Sequence, residues 1–255
     1  MKPLLEYVLE NKRFVAAHRG SSGTAPENTI AAFREAIAAG AKMIETDIQV
    51  MDNGNIIAFH DDDFGRTVAA ENASDIRNHK ISSSDAGSWF SEKFAGEKIP
   101  SLEEVISFVK GKSYITLEIK SSSGSLDEYN LRRIIDIVKT HNYEKHTIFA
   151  SFDHSLLKSV KQIDPSLLTM AIKIPGDERP PSKIILNTGS DGFICSLDEL
   201  NQDISNDVYY TNIYLGVYGV DTEEDFKKAI CYDVTALGTN YPKRIIGLLK
   251  NFETF

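Results

Sequence analysis

Two cysteines in 255 residues, Cys195 and Cys231, are too few and too far apart for a disulfide framework or a zinc-ligand cluster, so they read as free and mostly buried thiols. No apolar run approaches the roughly 20 residues of a membrane-spanning helix, which argues against stable membrane insertion. The opening stretch MKPLLEYVLENKRF also lacks the continuous apolar core of a secretory leader. The chain as given is therefore expected to be soluble and cytoplasmic; only a leader already removed would make it periplasmic or extracellular. Positive charge is scarce as well. Lys and Arg number 28 against 37 Asp and Glu, a net charge of −9 with no basic patch, which argues against nucleic acid or an anionic membrane surface as a partner.

What is present is a hydrophobic content of 42%, enough for a substantial core, and a length close to the roughly 250 residues of a single (β/α)₈ barrel. Short apolar runs at 14–17, 42–50, 114–120, 147–152, 167–173, 192–195, 213–218 and 234–239 alternate with segments of helical periodicity. Eight strands alternating with helices imply an α/β fold, a closed parallel (β/α)₈ TIM barrel spanning residues 1–255 as one domain. Residues 62–99 break the rhythm, and a segment of that length without periodicity reads as an insertion. Local punctuation supports the rest. Pro26-Glu27-Asn28-Thr29 opens a helix that Asn28 or Thr29 can cap, Ser101 and Glu104 form a capping box, and a helix is expected near Leu197–Ile204.

The stretch from Phe14 to His60 concentrates the chemistry. Its first strand ends at His18-Arg19-Gly20, and strand alternation puts Glu45 and Asp47 on one face of the next. Paired carboxylates on an inward face repel each other and lose hydration, so they call for a cation, and a hard divalent ion such as Mg²⁺ or Ca²⁺ suits oxygen ligands. The bland alternative is a solvated strand face. Three features weigh against it: Glu118 and Lys120 share a face of another strand, a turn at Asp52-Asn53-Gly54 folds the chain back so that a further run ends at His60-Asp61, and both histidines terminate apolar runs.

In that order and spacing, His18-Arg19-Gly20, Pro26-Glu27-Asn28-Thr29, Glu45-Thr46-Asp47, His60-Asp61, Gly65-Arg66-Thr67, Ile99 to Glu104, Leu117 to Lys120 and Ser151-Phe152 resemble the glycerophosphodiester phosphodiesterases. These belong to the phosphatidylinositol-phosphodiesterase-like barrel superfamily. The resemblance implies hydrolysis of a small-molecule glycerophosphodiester to glycerol 3-phosphate and an alcohol. It also implies a divalent metal on Glu45, Asp47 and Glu118, Arg19 and Lys120 at the phosphate, and His18 and His60 as general acid and base in an order left open. Water and the glycerol 2-hydroxyl both remain candidate nucleophiles. Glu27 and Asp61 would support these groups from behind, and 62–99 would be a small cap whose Trp89, Phe90 and Phe94 either pack it or line an alcohol pocket. Two positions depart from the family. Leu215 to Tyr218 stands where a tryptophan is usual, and Asn240 where an aspartate is usual, which puts substrate contacts in question. The alternatives are a phospholipase-D-like cleavage of lysolipid or sphingomyelin with cyclic phosphate release, and a non-catalytic phosphodiester-binding barrel.

Overall fold

A computed structural model describes residues 1–68, 84–121 and 126–253. The chain runs α1 (Leu4–Glu10), β1 (Phe14–Ala17), α2 (Ile30–Ala38), β2 (Met43–Val50), β3 (Ile56–Ala58), α3 (Leu102–Val109), β4 (Tyr114–Ile119), α4 (Glu128–Thr140), β5 (Thr147–Ser151) and α5 (His154–Ile163). It continues through β6 (Leu168–Ile172), α6 (Pro181–Thr188), β7 (Gly192–Ser196), α7 (Gln202–Thr211), β8 (Tyr214–Tyr218), α8 (Glu223–Ile230), β9 (Ala236–Thr239) and α9 (Pro242–Glu253). Residues 69–83 of the expected insertion, and 122–125 of the polar loop after β4, lie outside the described residues.

Eight strands pair in parallel in the order β1-β2-β4-β5-β6-β7-β8-β9, and β9 pairs with β1, so the sheet closes into the expected (β/α)₈ TIM barrel. The ninth, β3, is antiparallel to β2 and pairs with Ile48 to Val50, beyond the point where β1 leaves off. The turn at 52–54 therefore folds the chain back over the C-terminal rim. The amide of Phe59 donates to the carbonyl of Asp47 at 3.0 Å, which brings His60 down to the level of the acidic side chains.

Alternation along the strands divides the core. Ile44 and Ile48 of β2, Ile115 and Leu117 of β4 and Phe149 of β5 face outward into the layer beneath the helices. Met43, Tyr114, Ile148 and Met170 face inward, where Leu4 of α1 closes the lower end. Each fully buried side chain of this size contributes about 1.5–3 kcal/mol relative to exposure. Along β2 the inward face passes from Met43 to Glu45 and Asp47, from apolar filling to chemistry within two turns of the pleat.

Local signals place most helix starts, and the structure shifts the one after β7. Ser101 and Glu104 form the expected capping box on α3. Thr29 caps α2, whereas Asn28 is left-handed (φ +56°) and turns its amide toward β2 instead. The helix after β7 begins at Gln202, later than expected, because Asn201 caps it while Leu197 and Leu200 bury in the preceding turn. Cys195 is buried as expected, but Cys231 is exposed at the end of α8. Among the described residues no helix is long and apolar enough to cross a membrane.

Candidate active site

β2 and β4 build the acidic centre by register. Asp47 sits directly opposite Glu118 in the parallel ladder, and Glu45 lies two residues below Asp47 on the same inward face. One carboxylate oxygen from each of Glu45, Asp47 and Glu118 lies within 4.8 Å of the other two. Strand alternation places Glu45 with Asp47, and the family resemblance joins Glu118 to them.

Their electrostatics differ. Burial, then the charges of Asp47 and Glu118, push the Glu45 carboxyl well above its ordinary range. Glu118 is raised for the same first reason, burial, and by Asp47, against the pull of Lys120. For Asp47, burial is outweighed by Lys120, Arg19, His60 and a hydrogen bond from Asn28, which together hold it down at about 2. Glu45 Oε2 accepts the Arg19 amide at 2.8 Å, but its Oε1 is buried with no hydrogen-bond partner. A buried, unpartnered carboxylate oxygen beside two more carboxylates is the donor set of a hard divalent cation, so these three residues fit Mg²⁺ or Ca²⁺.

The two expected phosphate cations are held by carboxylates. Lys120 Nζ bridges Glu118 and Asp47, 2.9 Å from Asp47 Oδ1. Arg19 Nη1 donates to Glu27 Oε1 at 2.8 Å, and its Nε lies 3.2 Å from Asp47 Oδ2. Arg19 reaches this position through a left-handed backbone (φ +56°), costly for a residue with a Cβ, which aims its amide at Glu45. Gly20 beside it (φ +79°) lets the loop press on α2, since a Cβ there would meet the Ala32 carbonyl carbon at 2.7 Å.

The two histidines flank this centre and are mounted differently. His18 follows β1, its Nδ1 2.8 Å from Asn240 Oδ1 at the end of β9, with the Tyr218 ring stacked at 6.4 Å. Burial, then the Arg19 charge, lower its pKa against the opposing pull of Asn240 and Asp47, which favours a neutral imidazole. His60 Nδ1 lies 2.6 Å from Asp61 Oδ1. Asp61 Oδ2 accepts Arg66 Nε at 2.6 Å, and Arg66 forks onto both oxygens of Glu27 at 2.8 and 2.7 Å. A continuous charged chain thus runs from His60 through Asp61, Arg66, Glu27 and Arg19 to Asp47. Burial disfavours the Glu27 and Asp61 anions, but Arg66 together with Arg19 at Glu27, and with His60 at Asp61, outweighs it and lowers both pKa values.

The nine residues expected from sequence, His18, Arg19, Glu27, Glu45, Asp47, His60, Asp61, Glu118 and Lys120, are brought together in one connected region at the mouth of the barrel. Sequence reasoning missed four others. Arg66 belongs to the Gly65-Arg66-Thr67 motif, which carries no role by pattern alone. Asn28, read as a cap, is buried, accepts from Thr46 Oγ1 at 2.8 Å and donates to Asp47 Oδ2 at 2.8 Å. Asn240, the departure from the family's usual aspartate, donates its side-chain amide to Asp221 at 2.7 Å, and neither residue had an expected role. Trp89, Phe90 and Phe94 pack edge to face on one another, and Arg66 lies over the Trp89 ring.

The glycerophosphoryl diester phosphodiesterase family model matches residues 18–244. A glycerophosphodiester phosphodiesterase of Caldanaerobacter subterraneus subsp. tengcongensis is 32% identical over 244 residues, covering 94% of this chain and 98% of that protein. Another, of Bacillus subtilis, is 30% identical over 251 residues, with 89% and 83% covered. Among solved structures, a phosphodiesterase of Oleispira antarctica in complex with its product sn-glycerol-3-phosphate superimposes with a TM-score of 0.84. That match is 25% identical and covers 93% of this chain and 96% of that one.

Proposed function

Because the chain belongs to the glycerophosphoryl diester phosphodiesterase family, and is by that membership a phosphoric diester hydrolase, we propose that it cleaves glycerophosphodiesters to glycerol 3-phosphate and an alcohol. Catalysis combines a divalent metal with general acid–base chemistry by His18 and His60. The observation that carries this reading is the convergence of Glu45, Asp47 and Glu118 around the unpartnered Glu45 Oε1. Mg²⁺ or Ca²⁺ held there would supply Lewis-acid charge to a non-bridging phosphate oxygen.

The protein's own groups do the rest. His18, held neutral, takes the proton of the attacking hydroxyl as the new P–O bond forms. His60, with the Asp61 anion beside its Nδ1, gives a proton to the alcohol oxygen as the old P–O bond breaks. With water as the attacking group, the rings then return their protons through solvent and the ester has gained the elements of water. With the glycerol 2-hydroxyl, a cyclic phosphate forms and a second attack, by water, opens it. Lys120 and Arg19, already at the centre, offset the negative charge that builds on phosphorus oxygens in the transition state.

Incubation with glycerophosphocholine and with lysophosphatidylcholine, with and without EDTA, followed by phosphorus NMR, tests this. Glycerol 3-phosphate formed from the first substrate, and abolished by EDTA, is the expected result. A cyclic phosphate from the lysolipid would favour the phospholipase-D-like reading, and no turnover of either would leave a binding barrel.

A further inference from the structure

The carboxamide of Asn240 can face His18 in two ways, with its oxygen or with its nitrogen, and the choice decides which ring nitrogen of His18 carries the proton. Asp221 removes the choice. Its Oδ1 accepts the backbone amide of Asn240 at 2.7 Å and the Thr239 hydroxyl at 2.9 Å, which pins the carboxylate to the end of β9. Its Oδ2 then sits 2.7 Å from Asn240 Nδ2. A carboxylate only accepts, so Asn240 must turn its NH₂ toward Asp221 and its oxygen toward His18. That oxygen stands 2.8 Å from His18 Nδ1 and also receives the Ser22 hydroxyl at 2.7 Å. An amide oxygen donates nothing, so the hydrogen in the His18 contact belongs to Nδ1, and Nε2 keeps its lone pair.

We propose that Asp221, acting through the Asn240 carboxamide, fixes His18 in the tautomer protonated on Nδ1, so that both are positioning residues for the reaction. The proposal rests on the reading of His18 as the base, because only an unprotonated Nε2 can take a proton while Nδ1 is engaged. It gives a purpose to Asn240, where a carboxylate would stand against the Asp221 carboxylate without a donor between them.

Asp221→Asn tests the relay with little change of shape. Its side-chain oxygen can stay on the Asn240 amide, but its NH₂ then meets the Asn240 NH₂, donor against donor. A flip of Asn240 relieves this and presents Nδ2 to His18 Nδ1, a network with every group still partnered. Proton–nitrogen correlation spectra of histidine-labelled protein, taken with the ring neutral, should show Nδ1–H in the wild type and Nε2–H in Asp221→Asn. kcat on glycerophosphocholine should fall roughly 10²-fold, with KM within about threefold. The exchanged pair Asp221→Asn with Asn240→Asp restores a donor facing an acceptor, and should recover the Nδ1–H tautomer and most of kcat. An unchanged tautomer in Asp221→Asn, or Nε2–H in the wild type, overturns the relay. A reversed tautomer with undiminished kcat leaves the relay standing and overturns the assignment of His18 as base.

Discussion

The two histidine mounts solve one problem by different physics. His18 is gripped by neutral dipoles: an amide oxygen that a serine hydroxyl in turn holds, and a stacked tyrosine, on loops that β1 and β9 hold in register. His60 is gripped by charge, through Asp61, Arg66 and Glu27, on a hairpin that stands above the rim. A ring that must accept a proton on Nε2 is served by an acceptor that keeps the hydrogen on Nδ1. The His60 ring is instead oriented by the Asp61 carboxylate at its Nδ1. On the proposed assignment of His18 as base and His60 as acid, the two roles fall on the two kinds of mount.

The most direct way to break the comparison is to remove each ring. His18→Ala and His60→Ala should each lower kcat by about 10²–10⁴-fold with the thermal unfolding curve unchanged, because on the proposed mechanism each removes one half of the proton traffic. Near-normal turnover in either variant would take that ring out of the mechanism. A smaller effect sharpens the contrast between mounts. Arg66→Ala severs the charged chain between Asp61 and Glu27 while leaving the His60 ring and the whole β9 side in place. Steady-state kinetics should show a loss of roughly tenfold, as is usual when a supporting partner rather than the acting group is removed. A loss as large as that of His60→Ala would mean that Arg66 acts on substrate itself.

How much of this was legible in the sequence depended on how far apart the partners lie. Glu45 and Asp47 share a strand, so period-two alternation alone put them on one face; alternation on a second strand paired Glu118 with Lys120, and the family resemblance brought the two strands' acids to one ion. The barrel was legible because eight apolar runs alternate with helical periods. Helix boundaries were weaker where a polar residue had two uses. Asn28 looks like a cap beside Thr29, yet it turns to Asp47 because its left-handed backbone aims it inward. Asp221 looks like the start of α8, yet it reads out the orientation of Asn240, 19 residues on. Such contacts exist only after β8 and β9 lie side by side, so no local pattern announces them. Arg66 was visible in its motif, but its fork onto Glu27, 39 residues away, was not.

The central claim is that Glu45, Asp47 and Glu118 hold one divalent ion between these two rings. Calorimetric titration of Mg²⁺ and of Ca²⁺ into the metal-stripped wild type and into Glu45→Gln measures it without reference to turnover. One ion per chain in the wild type, with affinity at least roughly tenfold weaker in Glu45→Gln, is the expected result. Equal affinity in the two proteins, or no binding by the wild type, would contradict it.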